Sequence, residues 1–111
     1  MSLVPSIESA TLNASDEALT LTALNADSVV LQVTGTFTGT ITFEASVDGT
    51  NYVALAMKAS SQTTATTLVT TTTGVGVFSL NIQGLPNFRA RMSAYTSGDA
   101  VVTASLARSN K

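Results

Sequence analysis

The stretch SVVLQVTGTFTGTITFEASV, residues 28–47, alternates with period two over almost its whole length, and its reading decides the fold class. Val29, Leu31 and Val33 fall on one side of an extended backbone, with Val30, Gln32 and Thr34 on the other. After the glycines, Ile41, Phe43, Ala45 and Val47 oppose Thr40, Thr42, Glu44 and Ser46. Successive side chains of a strand point to opposite faces, so each run reads as a half-buried strand. Two matched runs around GTFTG, residues 35–39, predict a hairpin. A one-residue slip would put Phe43 in water and Glu44 in the core, so the register is tightly specified.

The same period extends in both directions. Upstream, ALTLTAL (residues 18–24) sets Leu19, Leu21 and Ala23 against Thr20 and Thr22. Downstream, Asp48 and Gly49 separate the run from YVALAM, which is strand-like again; Asp-Gly between two such runs is a strong turn signal. Val77, Ser79 and Asn81 alternate with Phe78, Leu80 and Ile82. FRARMSAY then places Phe88, Ala90, Met92 and Ala94 inward and Arg89, Arg91 and Ser93 outward, and AVVTASLA turns Val102, Ala104 and Leu106 inward. No segment holds a helical period. About eight short strands separated by Gly, Asn, Asp and Pro turns predict an all-β fold, an antiparallel β-sandwich or jelly roll. Phe37, Phe43, Phe78 and Phe88 are its expected large core residues. Residues 1–17 are weakly patterned and read as an extended N-terminal arm ahead of a β-sandwich domain spanning residues 18–111. The Thr-rich run of residues 60–73 has only Leu68 and Val69 as apolar anchors and reads as a long exposed loop with one edge strand at most.

Composition narrows the function. At 111 residues the chain fits one domain, and 44% hydrophobic residues are enough for a core. Only 11% of residues are charged, against roughly 25% in ordinary soluble domains; Thr, Ser, Asn and Gln take their place. The net charge of −2 and the lack of any Lys/Arg run argue against nucleic-acid binding. With no His and no Cys, the commonest general base, the commonest zinc ligand and all thiol chemistry are missing. No window approaches the ~20 apolar residues of a membrane span, and the opening residues have neither a basic nor a continuous apolar region, so neither membrane association nor a secretory signal is expected.

Three groups invite a chemical reading. Asp48, Gly49, Thr50 and Asn51 offer one carboxylate, one hydroxyl and one amide, too few oxygens at the wrong spacing for a calcium loop; the expectation is a bend in the chain. Asp16 and Glu17 are adjacent, and neighbouring strand residues point apart, so they make a poor acid–base dyad. Arg89 and Arg91 share a strand face, where they suit an anion clamp, cross-strand pairing with Glu44 or a capping acid, or an interface with a larger body; pairing with Glu44 or a capping acid is the favoured reading. An enzyme is not expected, nor is any cofactor or metal. The absence of Trp, with Tyr52 and Tyr95 the only tyrosines, argues against a sugar-binding face.

VVLQVTGTFTGTITFEASVDGTNYVAL, followed by FRARMSAYTSGDAVVTASL, resembles the small β-sandwich proteins of tailed-bacteriophage virions. The likeness lies in a V-x-G-x-F-x-G-T-x-x-F-E-x-S strand leading into D-G-T-N-Y, a later strand with spaced arginines, a Y-T-S-G turn and a final Val/Thr strand. It spans roughly residues 29–106. The resemblance implies a virion component made in the host cytoplasm and carried on the capsid surface as a decoration (cement) protein. Its implied partners are the major capsid protein and its own copies, as a homotrimer by analogy. A neck, tail or fibre accessory and a carbohydrate-binding module are the alternatives. On this reading the arm and the Thr-rich loop supply most partner contacts, through Leu3, Val4, Pro5, Ile7 and Leu12, and through Thr67, Leu68 and Thr70, with Arg89 and Arg91 as further candidates. Deleting residues 2–14 is then expected to abolish binding and spare the thermal melt.

Overall fold

The computed structural model describes residues 6–22, 28–59, 68–81 and 86–107 of the chain. Two antiparallel sheets pack face to face as a β-sandwich. In chain order the strands are β1 (Ser6–Leu12), β2 (Ala18–Thr22), β3 (Ser28–Thr34), β4 (Phe37–Ser46), β5 (Val53–Ala54), β6 (Met57–Ala59), β7 (Leu68–Val69), β8 (Thr71–Thr72), β9 (Gly76–Asn81), β10 (Asn87–Gly98) and β11 (Ala100–Ala107). One sheet runs β1-β11-β3-β9-β6-β7, and the other runs β2-β10-β4-β5 with β8 also against β4.

The inward sides of the two sheets meet in one core. Val29, Leu31, Val33, Met57, Val102 and Ala104 come from the six-stranded sheet; Leu21, Ile41, Phe43, Phe88 and Met92 come from the other, and all are essentially inaccessible to solvent. Burying one such side chain contributes about 1.5–3 kcal/mol. Phe43 of β4 and Phe78 of β9 bridge the sheets, their ring centroids 5.0 Å apart and tilted by 52°. Phe37 packs at the margin of this core.

The hairpin expected around residues 35–39 does not form. β3 pairs with β11 and β9, β4 pairs with β10, and the chain between them crosses from one sheet to the other. Alternation records which side chains face inward, and both strands do bury one face, but the buried faces oppose each other across the core. Gly35 makes this corner with φ +98°, and Gly98 makes the matching corner between β10 and β11 with φ +90°. The two corners interlock. The Asp99 N–H donates to the Thr36 carbonyl at 2.9 Å. A Cβ on Gly35 would lie 2.4 Å from the Asp99 carbonyl oxygen, and one on Gly98 would lie 2.3 Å from that of Thr36.

A third corner, at residues 13–17, leads from β1 to β2 with Asp16 at φ +69°. It docks on β10: the Asp16 N–H donates to the Met92 carbonyl at 2.8 Å, and the Met92 N–H donates to the Glu17 carbonyl at 2.7 Å. Residues 6–12, expected to belong to an outreaching arm, are therefore a strand of the sandwich. β1 pairs with β11 along its whole length, from Ser6 opposite Leu106 to Leu12 opposite Ala100. Its alternation is hard to read because Ile7 faces out and Leu12 faces in.

Smaller departures have local causes. Val47 is 78% exposed, since β4 ends at Ser46 and the alternation stops with it. A register shift between Met92 and Ala94 reverses the parity of β10, leaving Ala94 exposed and Tyr95 against the core. The described part of the Thr-rich run contributes two short strands, one in each sheet: β7 beside β6, and β8 beside β4.

Candidate functional site

The residues proposed from sequence as partner contacts fall into distinct settings. Leu3, Val4, Pro5 and Thr67 lie outside the described residues. Leu12 is 1% exposed, a core residue rather than a contact, because its place in β1 turns it toward the space between the sheets. Ile7 and Leu68 are 60% and 66% exposed. Thr70 is exposed as well, at the point where the chain passes from β7 to β8; its carbonyl accepts the Phe43 N–H at 2.9 Å.

Arg89 and Arg91 are brought together on the outer face of the five-stranded sheet, where the register sets Arg89 opposite Glu44 and Arg91 opposite Thr42. Glu44 accepts from both. The Arg89 Nε–H donates to Oε1 at 2.6 Å, and Arg91 grips the same carboxylate with Nε–H to Oε1 and Nη2–H to Oε2, each at 3.0 Å. The Arg91 Nη1–H also donates to Asp16 Oδ1 at 2.8 Å, tying the β1–β2 corner to this cluster. Tyr52 lies against Arg89, whose guanidinium carbon is 4.0 Å from the ring centroid, within cation–π range. The two cations are matched by two carboxylates. The Arg91 fork, with Arg89 beside it, holds the Glu44 carboxyl below the usual carboxylate range, against burial, which raises it. Glu44 in turn raises Arg91, assisted by Asp16. These bonds let a carboxylate sit 6% exposed in a β-sheet. The pairing with Glu44 read from the sequence is what the structure shows.

The Asp48 segment is a bend held by its own side chain. Asp48 Oδ1 accepts the Thr50 and Asn51 N–H groups and the Ser46 hydroxyl, each at 2.8 Å, while Oδ2 accepts Asn51 Nδ2–H at 2.9 Å. Donation from the Asn51 and Thr50 backbone, then from the Asn51 and Ser46 side chains, pushes this carboxyl far below its ordinary value. The loop is longer than a two-residue hairpin turn, because β4 and β5 pair only at Glu44 with Ala54 and Ala45 with Val53. Among the described residues no three His, Cys, Asp or Glu side chains gather in a way that could hold a metal ion.

The sequence reading missed an asymmetry between the two outer surfaces. Among the described residues the outer face of the five-stranded sheet carries Glu44, Arg89 and Arg91, whereas the outward positions of the six-stranded sheet carry a single charge, Lys58. On that second face Ile7, Val30, Leu68 and Val77 are exposed, around an open hollow of about 400 Å³ lined by Val30, Lys58, Leu68 and Ser79 among others. The signal was present in SVVLQV, where Val30 is an apolar residue on the outward side.

No protein-family model and no curated protein matches the chain. Among solved structures, the crystal structure of the SPBc2 prophage-derived protein YomS is similar, with a TM-score of 0.78 over 96% of this chain and 97% of that one, at 17% sequence identity. The two share a fold. A structure from Bacillus endospore appendages, described as a family of disulfide-linked pili, matches at a TM-score of 0.43 and 15% identity over 97% of this chain and 90% of that one, too loosely to establish a common fold.

Proposed function

We propose that this protein is a structural component of a tailed-bacteriophage virion that binds the outer surface of the capsid as a decoration protein and stabilises the shell. The observation that carries the reading is the whole-chain fold likeness to a prophage-derived protein of matching extent. It agrees with the phage-type motif pattern of residues 29–106. The proposed role is non-catalytic. The two carboxylates with strongly held geometry, Glu44 and Asp48, spend their acceptor capacity on neighbours within the chain.

A sandwich of this kind suits a repeated site. A shell presents many identical positions, so modest contacts per copy add up across the particle. Binding to the assembled shell, and not to its dissociated subunits, stabilises the shell by mass action. The test is cosedimentation of the purified chain with capsids from particles of its source phage, followed by thermal disruption of the shells. Saturable binding with a raised disruption temperature is expected. Binding to tails or necks and not to shells would move the protein to an accessory role, and binding to neither would end the virion reading.

A further inference from the structure

We infer that the outer face of the six-stranded sheet is the contact surface for a second copy of this chain, stacked face to face about a two-fold axis parallel to the strands. The argument starts from one row of side chains that crosses all six strands. Strand pairing aligns Ile7 of β1, Ser105 of β11, Val30 of β3, Ser79 of β9, Lys58 of β6 and Leu68 of β7. All six point away from the core, since their neighbours Val29, Met57 and Ala104 are buried on the opposite side. The row begins and ends with a large apolar residue, has hydroxyls and a valine between them, and holds near one end Lys58, the face's one charge among the described residues.

That order is self-complementary about an in-plane two-fold axis parallel to the strands. An axis parallel to the strands, between β3 and β9, lays β1 over the partner's β7, β11 over its β6, and β3 over its β9. Ile7 then meets Leu68 of the second copy, Lys58 meets Ser105, and Val30 meets Ser79. In the next row, where Gln32 is level with Val77, those two residues face each other across the interface. An axis perpendicular to the strands that runs along this row would lay each strand over itself and press Lys58 against Lys58, a like-charge contact in a surface being dried. Either axis gives aligned stacking, the ordinary way in which two twisted sheets meet, at about 30° and with a spacing of about 10 Å; the placement of Lys58 favours the first.

The area sets the strength. Each outward residue covers roughly 4.8 by 6.8 Å of sheet, so about fourteen of them span roughly 460 Å² of plane and two copies bury on the order of 1,000 Å². That is at the lower limit for a specific interface, so the dimer is expected to dissociate in the micromolar range. The other outer face is occupied by the Glu44, Arg89 and Arg91 network. A two-fold contact on this face departs from the trimer implied by the phage resemblance, and it does not depend on the proposed capsid role.

The chain has no cysteine, which makes crosslinking decisive. Ile7→Cys and Leu68→Cys, prepared separately and mixed, should be joined by a short bis-maleimide. Facing sheets about 10 Å apart lie beyond the reach of a direct disulfide, and the two sites within one copy are about 24 Å apart across five strand spacings. The inference expects a crosslinked species only when both variants are present, and a dimer by analytical ultracentrifugation of the unmodified chain at high micromolar concentration. Val30→Glu should render the chain monomeric while Thr20→Glu, on the opposite face, leaves it dimeric. Crosslinking of Leu68→Cys with itself, a trimer, a monomer at every concentration, or an unaffected Val30→Glu variant would each overturn the inference.

Discussion

Replacing Gly98 with Ala should destabilise the fold more than its exposed position suggests, and combining it with Gly35→Ala should cost less than the sum. At φ +90° an L-residue is disfavoured by about 1–2 kcal/mol. The new Cβ would lie 2.3 Å from the Thr36 carbonyl oxygen and 2.6 Å from the Phe37 Cα, both backbone atoms that cannot rotate away. The corner must open by roughly 1 Å, which sacrifices the Asp99-to-Thr36 bond, a further ~0.5–1.5 kcal/mol. The single substitution is therefore expected to cost about 1.5–3.5 kcal/mol, and Gly35→Ala a similar amount against the Asp99 carbonyl. Both substitutions pry open the same contact and lose the same bond once, so the double variant should fall short of additivity by about 1 kcal/mol or more. Equilibrium denaturant unfolding followed by far-ultraviolet circular dichroism measures all three, the midpoint shifting while the slope holds. Losses below about 1 kcal/mol for each single variant, or additivity within ~0.5 kcal/mol, would refute the interlocked corner.

Leu12→Ala is expected to lower stability by about 2–4 kcal/mol, as a core truncation, while Ile7→Ala in the same strand changes it by ~0.5 kcal/mol or less; deletion of residues 2–14, which removes β1, should lower the melting temperature and not spare it. Glu44→Gln should cost about 1–3 kcal/mol, because it leaves two half-buried guanidiniums without their shared carboxylate, and the loss should shrink when Arg91 is also replaced by Gln. The acid limb of stability should report the same carboxylates. Glu44 and Asp48 both have folded carboxyls below their ordinary 4.5 and 3.8, so the unfolded chain binds more protons and their contribution is complete above pH 4.5 and lost as pH falls through the folded values. Stability of the wild type should start to decline below pH 4.5, and that of Glu44→Gln only below 3.8, in urea titrations at fixed ionic strength; coincident acid limbs would contradict this assignment.

Much of the fold was legible because burial imposes a period of two. Val29, Leu31 and Val33, and likewise Ile41 and Phe43, face the core as their alternation predicts. The Asp48 bend was legible too, since Asp, Gly and Asn at that spacing can satisfy one another locally. What alternation cannot encode is which sheet a strand joins. A tight hairpin and a sheet-crossing corner both follow an inward-facing run with a glycine and another inward-facing run, so residues 35–39 read the same way for either. β1 escaped notice for a different reason: Ile7 on the outer face and Leu12 on the inner one break the pattern that marks a strand. The Arg pair was placed correctly because two residues apart on a strand means one face, and Glu44 follows from the register. Leu12 could not be told from Ile7 without knowing the parity of β1. Outward Val30 hinted at the exposed apolar residues of the six-stranded face, but the row as a whole is assembled from six strands far apart in sequence, and no local pattern shows it.

The most direct test of the virion reading is the copy number of this chain in phage particles purified from its source, measured by quantitative mass spectrometry against the major capsid protein. Decoration of a repeated shell site predicts an abundance equal to that of the capsid protein or a simple fraction of it. A handful of copies per particle would contradict a decoration role, and absence from the particle would contradict a place in the virion altogether.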